Sequence, residues 1–254
     1  MKETLMRAIM EAGELVGKSF NGPFAVTNKE GKNNLVTEID QASERLINSI
    51  VKEAYPHHGF VGEEYGSHDG EAYYKWIVDP IDGTVNFAHG VPLCCISIGL
   101  MGGDSLLMGA VYNPMLNELF FAERGKGATL NGQPIHVSQK TDVGAAYVVT
   151  GFPYNFEETF NPITILERVV RRGIPVRRLG SAALDLCWVA CGRFDAFWEY
   201  NLNAWDVAAG YLIVSEAGGK VTDFNNAPYS VWNKQTLATN GLIHDDLRKI
   251  IVGE

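Results

Sequence analysis

The sequence predicts an α+β fold in which layers of sheet and helix alternate. Three observations carry this: two N-terminal segments with apolar residues at helical spacing, a block of strand-like runs between residues 58 and 122, and interleaved strand and helix patterns after about residue 140. Of the 254 residues 46% are hydrophobic, enough for an ordinary packed core. The length suits one large core or two close lobes. A soft division near residue 140 gives lobes 1–140 and 141–254, expected to form one structural unit.

The first helix is expected over 2–19, with Leu5, Ile9, Ala12 and Val16 on one face, and Asn21-Gly22-Pro23 ends it. A second is expected over 38–54, with Ile39, Ala42, Leu46, Ile47, Ile50 and Ala54 inward and Pro56 closing it. Strand patterns follow at 58–61, 75–79, 94–101, 106–112 and 118–122, the last two joined by a turn over Asn113-Pro114-Met115-Leu116-Asn117. Then come strand 145–150, helix 157–172, strand 175–178, helix 181–191, strand 194–200, helix 205–217, short strands near 219–223 and 236–239, and a helix from 243. There is no internal repeat, low-complexity tract or clear linker.

Lys and Arg number 21 against 30 Asp and Glu, a formal charge of −9. Such a surface repels polyanions, so nucleic acid is not an expected partner. A small phosphate ester meets the same repulsion unless bound cations invert the local field. The start of the chain lacks a signal peptide's apolar core, and no apolar run approaches the ~20 residues of a membrane helix, so a cytoplasmic location is expected. Cys94 and Cys95 are adjacent on a strand and should point to opposite faces; Cys187 and Cys191 stand four apart on a helix. Without a CxxC or Cys/His signature all four read as small buried hydrophobes.

Chemistry is concentrated in Trp76-Ile77-Val78-Asp79-Pro80-Ile81-Asp82-Gly83-Thr84-Val85-Asn86. A buried strand runs straight into a carboxylate, and Pro80 removes an amide donor and disfavours helix at Asp79. The chain is expected to turn there and bring Asp79 and Asp82 to one side, with Gly83 allowing close backbone approach and Thr84 to Asn86 opening a helix whose amides suit an anion. Two carboxylates beside such a turn are a means of holding Mg²⁺ against a phosphate. A capped surface turn would look the same in isolation. Three weaker signals stand around it: Gly62-Glu63-Glu64 after an apolar strand, Leu35-Val36-Thr37-Glu38-Ile39-Asp40 at a strand–helix junction, and Trp205-Asp206-Val207-Ala208-Ala209-Gly210, where Asp206 reads as a helix N-cap.

Those segments in this order, with Gly180-Ser181-Ala182-Ala183-Leu184-Asp185 and Glu216-Ala217-Gly218-Gly219, resemble the inositol monophosphatase family over about residues 30–220. The resemblance implies an α/β/α/β/α sandwich of the sugar-phosphatase type, commonly a homodimer inhibited by lithium. It implies two to three Mg²⁺ per active site. Glu63, Asp79 and the Ile81 carbonyl match one metal site, and Asp79, Asp82 and Asp206 a second. Gly83 and Thr84 match phosphate-binding amides. Thr84 and Asp40, with Glu63 beside them, match the catalytic group that orients and activates the attacking water. Asp82, Ala182, Glu199 and Asp206 match positions around the substrate's hydroxyl-bearing ring. The implied reaction is hydrolysis of a small phosphorylated polyol or sugar, inositol monophosphate foremost, by direct attack of water; fructose 1,6-bisphosphate and histidinol phosphate are alternatives. Four carboxylates in one cleft would repel each other strongly without cations, which agrees with that assignment.

Rival chemistries fit less well. In haloacid dehalogenase phosphatases the paired aspartates stand two apart, whereas Asp79 and Asp82 stand three apart around Pro80, and Asp245-Asp246 reads as a polar helix start. No GxxxxGK[ST] loop or convincing GxGxxG supports an NTPase. A regulatory protein that binds transcription machinery on the same fold remains as an alternative of another class. Arg171-Arg172 and Arg177-Arg178 offer charge for a second phosphate, or are exposed helix-end and strand charges. Gly151-Phe152-Pro153-Tyr154 resembles bacterial members in place of the small polar stretch of animal ones, which argues against a substrate contact there. Lys29 and Lys32 are equal claimants for a place near the metals, and neither is counted as catalytic.

Overall fold

The computed structural model describes residues 1–28, 35–68, 72–153 and 161–254. Lys29, Lys32, Tyr154 and the start of the helix predicted over 157–172 lie outside the described residues. In chain order the first half gives α1 (Lys2–Ser19), β1 (Val26–Asn28), β2 (Leu35–Thr37), α2 (Glu38–Ala54), β3 (Gly59–Gly62), β4 (Gly66–His68), β5 (Tyr74–Asp82), α3 (Thr84–Ala88), β6 (Cys95–Gly102), β7 (Ser105–Asn113), β8 (Glu118–Glu123), β9 (Ala128–Leu130) and β10 (Gln133–Ile135). Eight of these strands form one sheet in the order β10-β9-β8-β7-β6-β5-β3-β4, antiparallel except for the β3–β5 pair. The second half gives β11 (Val148–Thr150), α4 (Pro162–Val170), β12 (Val176–Arg177), α5 (Ala182–Ala190), β13 (Ala196–Tyr200), α6 (Ala204–Glu216), β14 (Lys220–Thr222), β15 (Gln235–Thr239) and α7 (His244–Val252). Its sheet runs β12-β11-β13-β15-β14, parallel across the first three and antiparallel beyond.

Three apolar clusters stack these elements into the five layers expected. Leu5, Ile9, Val16, Ile47 and Val51 of α1 and α2 pack on Trp76, Val78, Ile96 and Ile98 of the large sheet. That sheet's other face, with Ile77, Val111 and Phe120, packs on α5 and α6, which also cover Val149 and Phe197 of the small sheet. Ile165, Val169, Leu247 and Ile251 of α4 and α7 close its far side. Cys94 and Cys95 fall in different clusters, on opposite faces as alternation requires, and all four cysteines are free thiols.

The small residues of Ala208-Ala209-Gly210 let α6 lie close between layers. A Cβ at Gly109 of β7 would stand 2.9 Å from the Ala209 Cα, one at Gly99 of β6 2.9 Å from the Ala208 Cβ, and one at Gly210 2.6 Å from Leu186 of α5. Those contacts fix the helix that carries Asp206.

Three local expectations are corrected. The chain does not turn at Pro80: β5 continues to Asp82 through a β-bulge, Asp79 pairing with Ser97 and Asp82 with Cys95. Residues three apart on a regular strand face opposite ways; one extra residue returns both carboxylates to one side. The inward face of α2 is Asp40, Ser43, Glu44, Ile47, Ile50 and Val51, while Ala54 is exposed. Polar members of the i, i+3, i+4, i+7 stripe were passed over in favour of nearby apolar ones. Finally, α6 begins with Asn203 as N-cap, which puts Asp206 at the third helical position. Beyond this, the strand expected from residue 145 starts only at Val148, after a 3₁₀ turn over Val143–Ala145.

Candidate active site

A cleft of about 270 Å³ opens where the C-terminal end of β5 meets α5 and α6. Glu63, Asp79, Ile81, Asp82, Gly83, Thr84, Ala182, Glu199 and Asp206 all line it, so nine of the ten residues singled out from sequence share one surface. The tenth, Asp40, is fully buried beneath it and touches it through Thr84, whose hydroxyl lies 2.9 Å from Asp40 Oδ1 and 3.0 Å from the Ile81 carbonyl.

The four aspartates are each fixed by local hydrogen bonds. Asp40 Oδ2 accepts from the Thr37 amide at 2.9 Å and from the Thr37 hydroxyl, closing a capping box at the start of α2. Asp206 does the same for α6, its Oδ2 accepting from the Asn203 amide at 2.7 Å. Asp79 Oδ1 accepts from the Ile81 amide at 3.0 Å. Asp82 Oδ2 accepts from the Ser181 hydroxyl at 2.7 Å and the Ala183 amide at 2.6 Å, which ties β5 to the first turn of α5. Gly83 sits at φ +91, and a Cβ there would meet the Leu93 carbonyl oxygen at 2.9 Å, so the left-handed step into α3 requires glycine. Asn86 anchors α3 from below, donating to the carbonyls of Leu93 and Leu179.

Burial is the first cause that raises these acids, and their mutual repulsion adds to it. Asp79 is held well above the usual carboxylate range by desolvation and by Glu63, Asp82 and Asp206. Asp206 is raised likewise by desolvation, Glu63 and Asp82. Asp82 is pushed up to about 6, against the pull of the Ser181 hydrogen bond. Two cations act from the rim: Lys234 on Asp206, and Arg178 on Glu199.

The donors are carboxylate and carbonyl oxygens, a set that suits a hard divalent cation. Such an ion would replace the repulsion among Glu63, Asp79, Asp82 and Asp206 with attraction, so the residues fit Mg²⁺. They surround a cleft and do not close on a point: among the described residues no three His, Cys, Asp or Glu side chains are gathered as a finished cage.

The other end of the cleft is lined by Gly151, Phe152, Pro153, Arg178, Glu199 and Asn201. Gly151 to Pro153, where the sequence argues against a substrate contact, line the cleft. A Cβ at Gly151 would stand 2.0 Å from Glu199 Oε2, so the Glu199 carboxyl lies where that side chain would be. Desolvation, then Asp206 and Asp82, push Glu199 up to about 8. Beneath it lies Asp185 of α5, buried, with Oδ1 lacking a hydrogen-bond partner among the described residues. Of the four arginines weighed as phosphate contacts only Arg178 lines the cleft. Arg171 pairs with Glu167, Arg172 donates to the Arg168 carbonyl, and Arg177 covers the Tyr147 ring. Sequence reasoning gave no role to Ser181, Ser43, Glu44 or Asp185; their placement on the inner faces of α2 and α5 was the available signal.

A family model for the inositol monophosphatase family matches residues 1–252. The chain is 40% identical over 251 residues to the putative Nus factor SuhB of Neisseria meningitidis serogroup A, spanning 98% of this chain and 96% of that one. It is 40% identical over 253 residues to the inositol-1-monophosphatase of a Synechocystis species, spanning 98% and 88%. Among solved structures, the extragenic suppressor protein suhB from Bartonella henselae superimposes with a TM-score of 0.93 at 36% identity, covering 98% of this chain and 97% of that one.

Proposed function

The chain belongs to the inositol monophosphatase family, and from that premise we propose that it is a cytoplasmic, magnesium-dependent phosphomonoesterase that hydrolyses myo-inositol 1-phosphate to inositol and phosphate. The observation that carries this is the convergence of Glu63, Asp79, Asp82, Asp206 and the Ile81 carbonyl at one end of a cleft whose other end presents Glu199.

Glu63, Asp79 and the Ile81 carbonyl would hold one ion, and Asp79, Asp82 and Asp206 a second. Bound Mg²⁺ supplies charge neutralisation and Lewis acidity toward the phosphoryl oxygens. The chain's own groups do the positioning. The amides at Gly83 and Thr84 face the phosphate. Thr84, donating to Asp40 Oδ1, turns its lone pairs to a water that donates to it, which orients the oxygen for in-line attack on phosphorus. As the new P–O bond forms, the bond to the polyol oxygen breaks; the attacking water releases a proton to solvent and the departing oxygen takes one from solvent, so the products are the free alcohol and inorganic phosphate. Glu199 and the backbone at Ala182 receive the ring hydroxyls.

The test is phosphate release from inositol 1-phosphate, fructose 1,6-bisphosphate, histidinol phosphate and phosphoadenosine phosphate, with Mg²⁺ and with EDTA. Release from inositol 1-phosphate above the rest, abolished by EDTA, is expected. A different best substrate moves the assignment within the family, and silence across the panel from folded protein overturns it.

A second role is favoured by the Nus factor SuhB name of a relative as similar as the named phosphatase. We propose that the chain also associates with transcription machinery, through a surface outside the cleft. Capture of RNA polymerase components, unchanged by EDTA, is expected; no capture under either condition removes this role.

A further inference from the structure

We propose that Glu44 is a positioning residue that clamps the hairpin loop carrying Glu63 into the cleft, and that Gly62 exists to admit it. The inference rests on the phosphatase reading for what Glu63 does. The contact itself does not.

Residues 63–65 join β3 to β4, and Gly66 at φ +74 completes a three-residue hairpin loop. β4 is a three-residue edge strand, exposed throughout. Support for the loop from that edge is slight, and α2 supplies it from the other side, where the Arg45 guanidinium donates to the Tyr65 hydroxyl and lies 5.9 Å from that ring's centroid. Glu44 holds the loop's backbone. It is fully buried on α2, one helical turn beyond Asp40. Its Oε2 accepts from the Glu64 amide at 2.8 Å and its Oε1 from the Tyr65 amide at 2.9 Å. These are the two residues after Glu63. A carboxylate taking two amides side by side is a charge-assisted, two-point contact, which fixes orientation as well as distance.

Gly62 makes the approach possible. A Cβ there would lie 2.2 Å from Glu44 Oε1 and 2.4 Å from its carboxyl carbon. Gly62 needs no left-handed backbone, so room is the reason for glycine at this position.

The same face of α2 reaches two further parts of the site. Ser43 Oγ donates to the Pro80 carbonyl at 3.2 Å, between Asp79 and Asp82, and Asp40 accepts from Thr84. Asp40, Ser43 and Glu44 thus stand at i, i+3 and i+4 on one rigid helix and tie down the three segments that carry Thr84, the paired aspartates and Glu63. Helix α2 sets the spacing of the acidic end.

The experiment compares wild type with E44Q, which keeps the side chain's size but turns one acceptor into a donor, so one loop amide loses its partner. Hydrogen exchange on the metal-free protein should show faster exchange at Glu64 and Tyr65. Calorimetric titration with Mg²⁺ should show affinity weakened roughly 10- to 100-fold, as for loss of an outer-shell partner. G62A, which displaces the same carboxylate, should shift both readouts the same way and stands in if E44Q does not fold. Unchanged exchange overturns the clamp. Faster exchange with unchanged Mg²⁺ affinity overturns its positioning role and leaves a purely structural contact. Wild-type protein that binds no divalent ion instead sinks the metal reading of Glu63, while the exchange result still judges the clamp.

Discussion

At the acidic end of the cleft Glu63, Asp79, Ile81, Asp82, Gly83 and Thr84 come from one short stretch of chain, and Asp79, Asp82 and Asp206 are held by backbone amides or a neighbouring hydroxyl. At the far end Gly151, Arg178, Ala182, Glu199 and Asn201 come from separate segments, and Glu199 is placed by the absence of a side chain at Gly151. The first end is thus written into a short stretch of chain and cross-braced by α2 and α5. The second depends on how a strand end, a helix start and the loops around them pack. Chemistry common to phosphate esters can be fixed in the first while the alcohol that leaves is chosen by the second, and the two should respond differently to substitution.

The largest effect is expected from Asp206→Asn. It removes a carboxylate proposed to hold the metal at the braced end, so hydrolysis of every phosphate ester should fall by more than the roughly 10²-fold that loss of an outer-shell partner costs. The fold should survive, because an asparagine oxygen can still accept from the Asn203 amide. In EDTA the variant should melt above wild type, since one of several mutually repelling buried charges is gone. Normal turnover in folded Asp206→Asn protein would break the division of the cleft into two ends.

Next in size is the coupling of metal, proton and stability. Asp82 sits at about 6 in the fold against 3.8 unfolded, so the folded state holds its proton more tightly. Its stabilising effect is present at low pH and lost as pH rises through about 6. His244 opposes it. Buried at the start of α7, its Nε2 meets Thr222, whose hydroxyl bonds to the Asp223 carbonyl, and its Nδ1 meets Thr239. Its pKa falls to about 4, so stability is lost as pH drops from 6.5 toward 4. Mg²⁺ acts only on the first of these. The difference between melting points in Mg²⁺ and in EDTA should therefore widen from pH 5 to pH 7, reaching about 5–10 °C at a 100-fold excess of ion over its Kd, the equivalent of about 2.7 kcal/mol. A constant difference across that range would show that the acidic end does not bind the ion through these carboxylates.

The same contrast explains what could be read from the sequence. Asp79, Asp82, Gly83 and Thr84 were legible because the groups are nearly consecutive and the backbone they need leaves marks in residue type. The bulge at Pro80 was not, since a turn and a bulge demand the same local composition. Asp206 was found but misplaced by three helical positions, because Asn203 and Asp206 are both good capping residues. The buried stripe of α2 was rotated in expectation because hydrophobicity guided it, whereas this helix buries Asp40, Ser43 and Glu44 to serve the site. At the far end Ala182 and Glu199 were legible only through the family resemblance, and Arg178 was one of four arginines with equal claims. A glycine that makes room for a glutamate 48 positions later has no local signature, and only tertiary packing shows the pair.

Glu199→Gln should alter choice among substrates at roughly unchanged chemistry. With its pKa held up to about 8, Glu199 is largely uncharged at neutral pH; one neutral hydrogen bond is worth about 1 kcal/mol, so the preference for inositol 1-phosphate over an aryl phosphate should shrink about fivefold. Gly151→Ala should imitate it, since the new methyl displaces the Glu199 carboxyl while the backbone tolerates alanine. The double variant should then add little to either single one. Equal losses on the aryl and inositol esters would place Glu199 with the acidic end instead.

Arg178→Gln gives the smallest effect and the finest test of the far end. Arg178 is exposed, and its field reaches both Glu199 and Asp185. If it served a second phosphate through a formed pocket, its loss would penalise fructose 1,6-bisphosphate far more than a monophosphate. An exposed guanidinium screened by water is worth at most about 1 kcal/mol, or roughly fivefold, and less as salt is raised. The ratio of bisphosphate to monophosphate turnover should therefore change by no more than that, and the change should fade in salt. A hundredfold, salt-resistant loss would mean that Arg178 is gripped in the complex as firmly as Asp82 is by Ser181 and Ala183. The far end would then be braced like the acidic one, with a bisphosphate as its natural occupant.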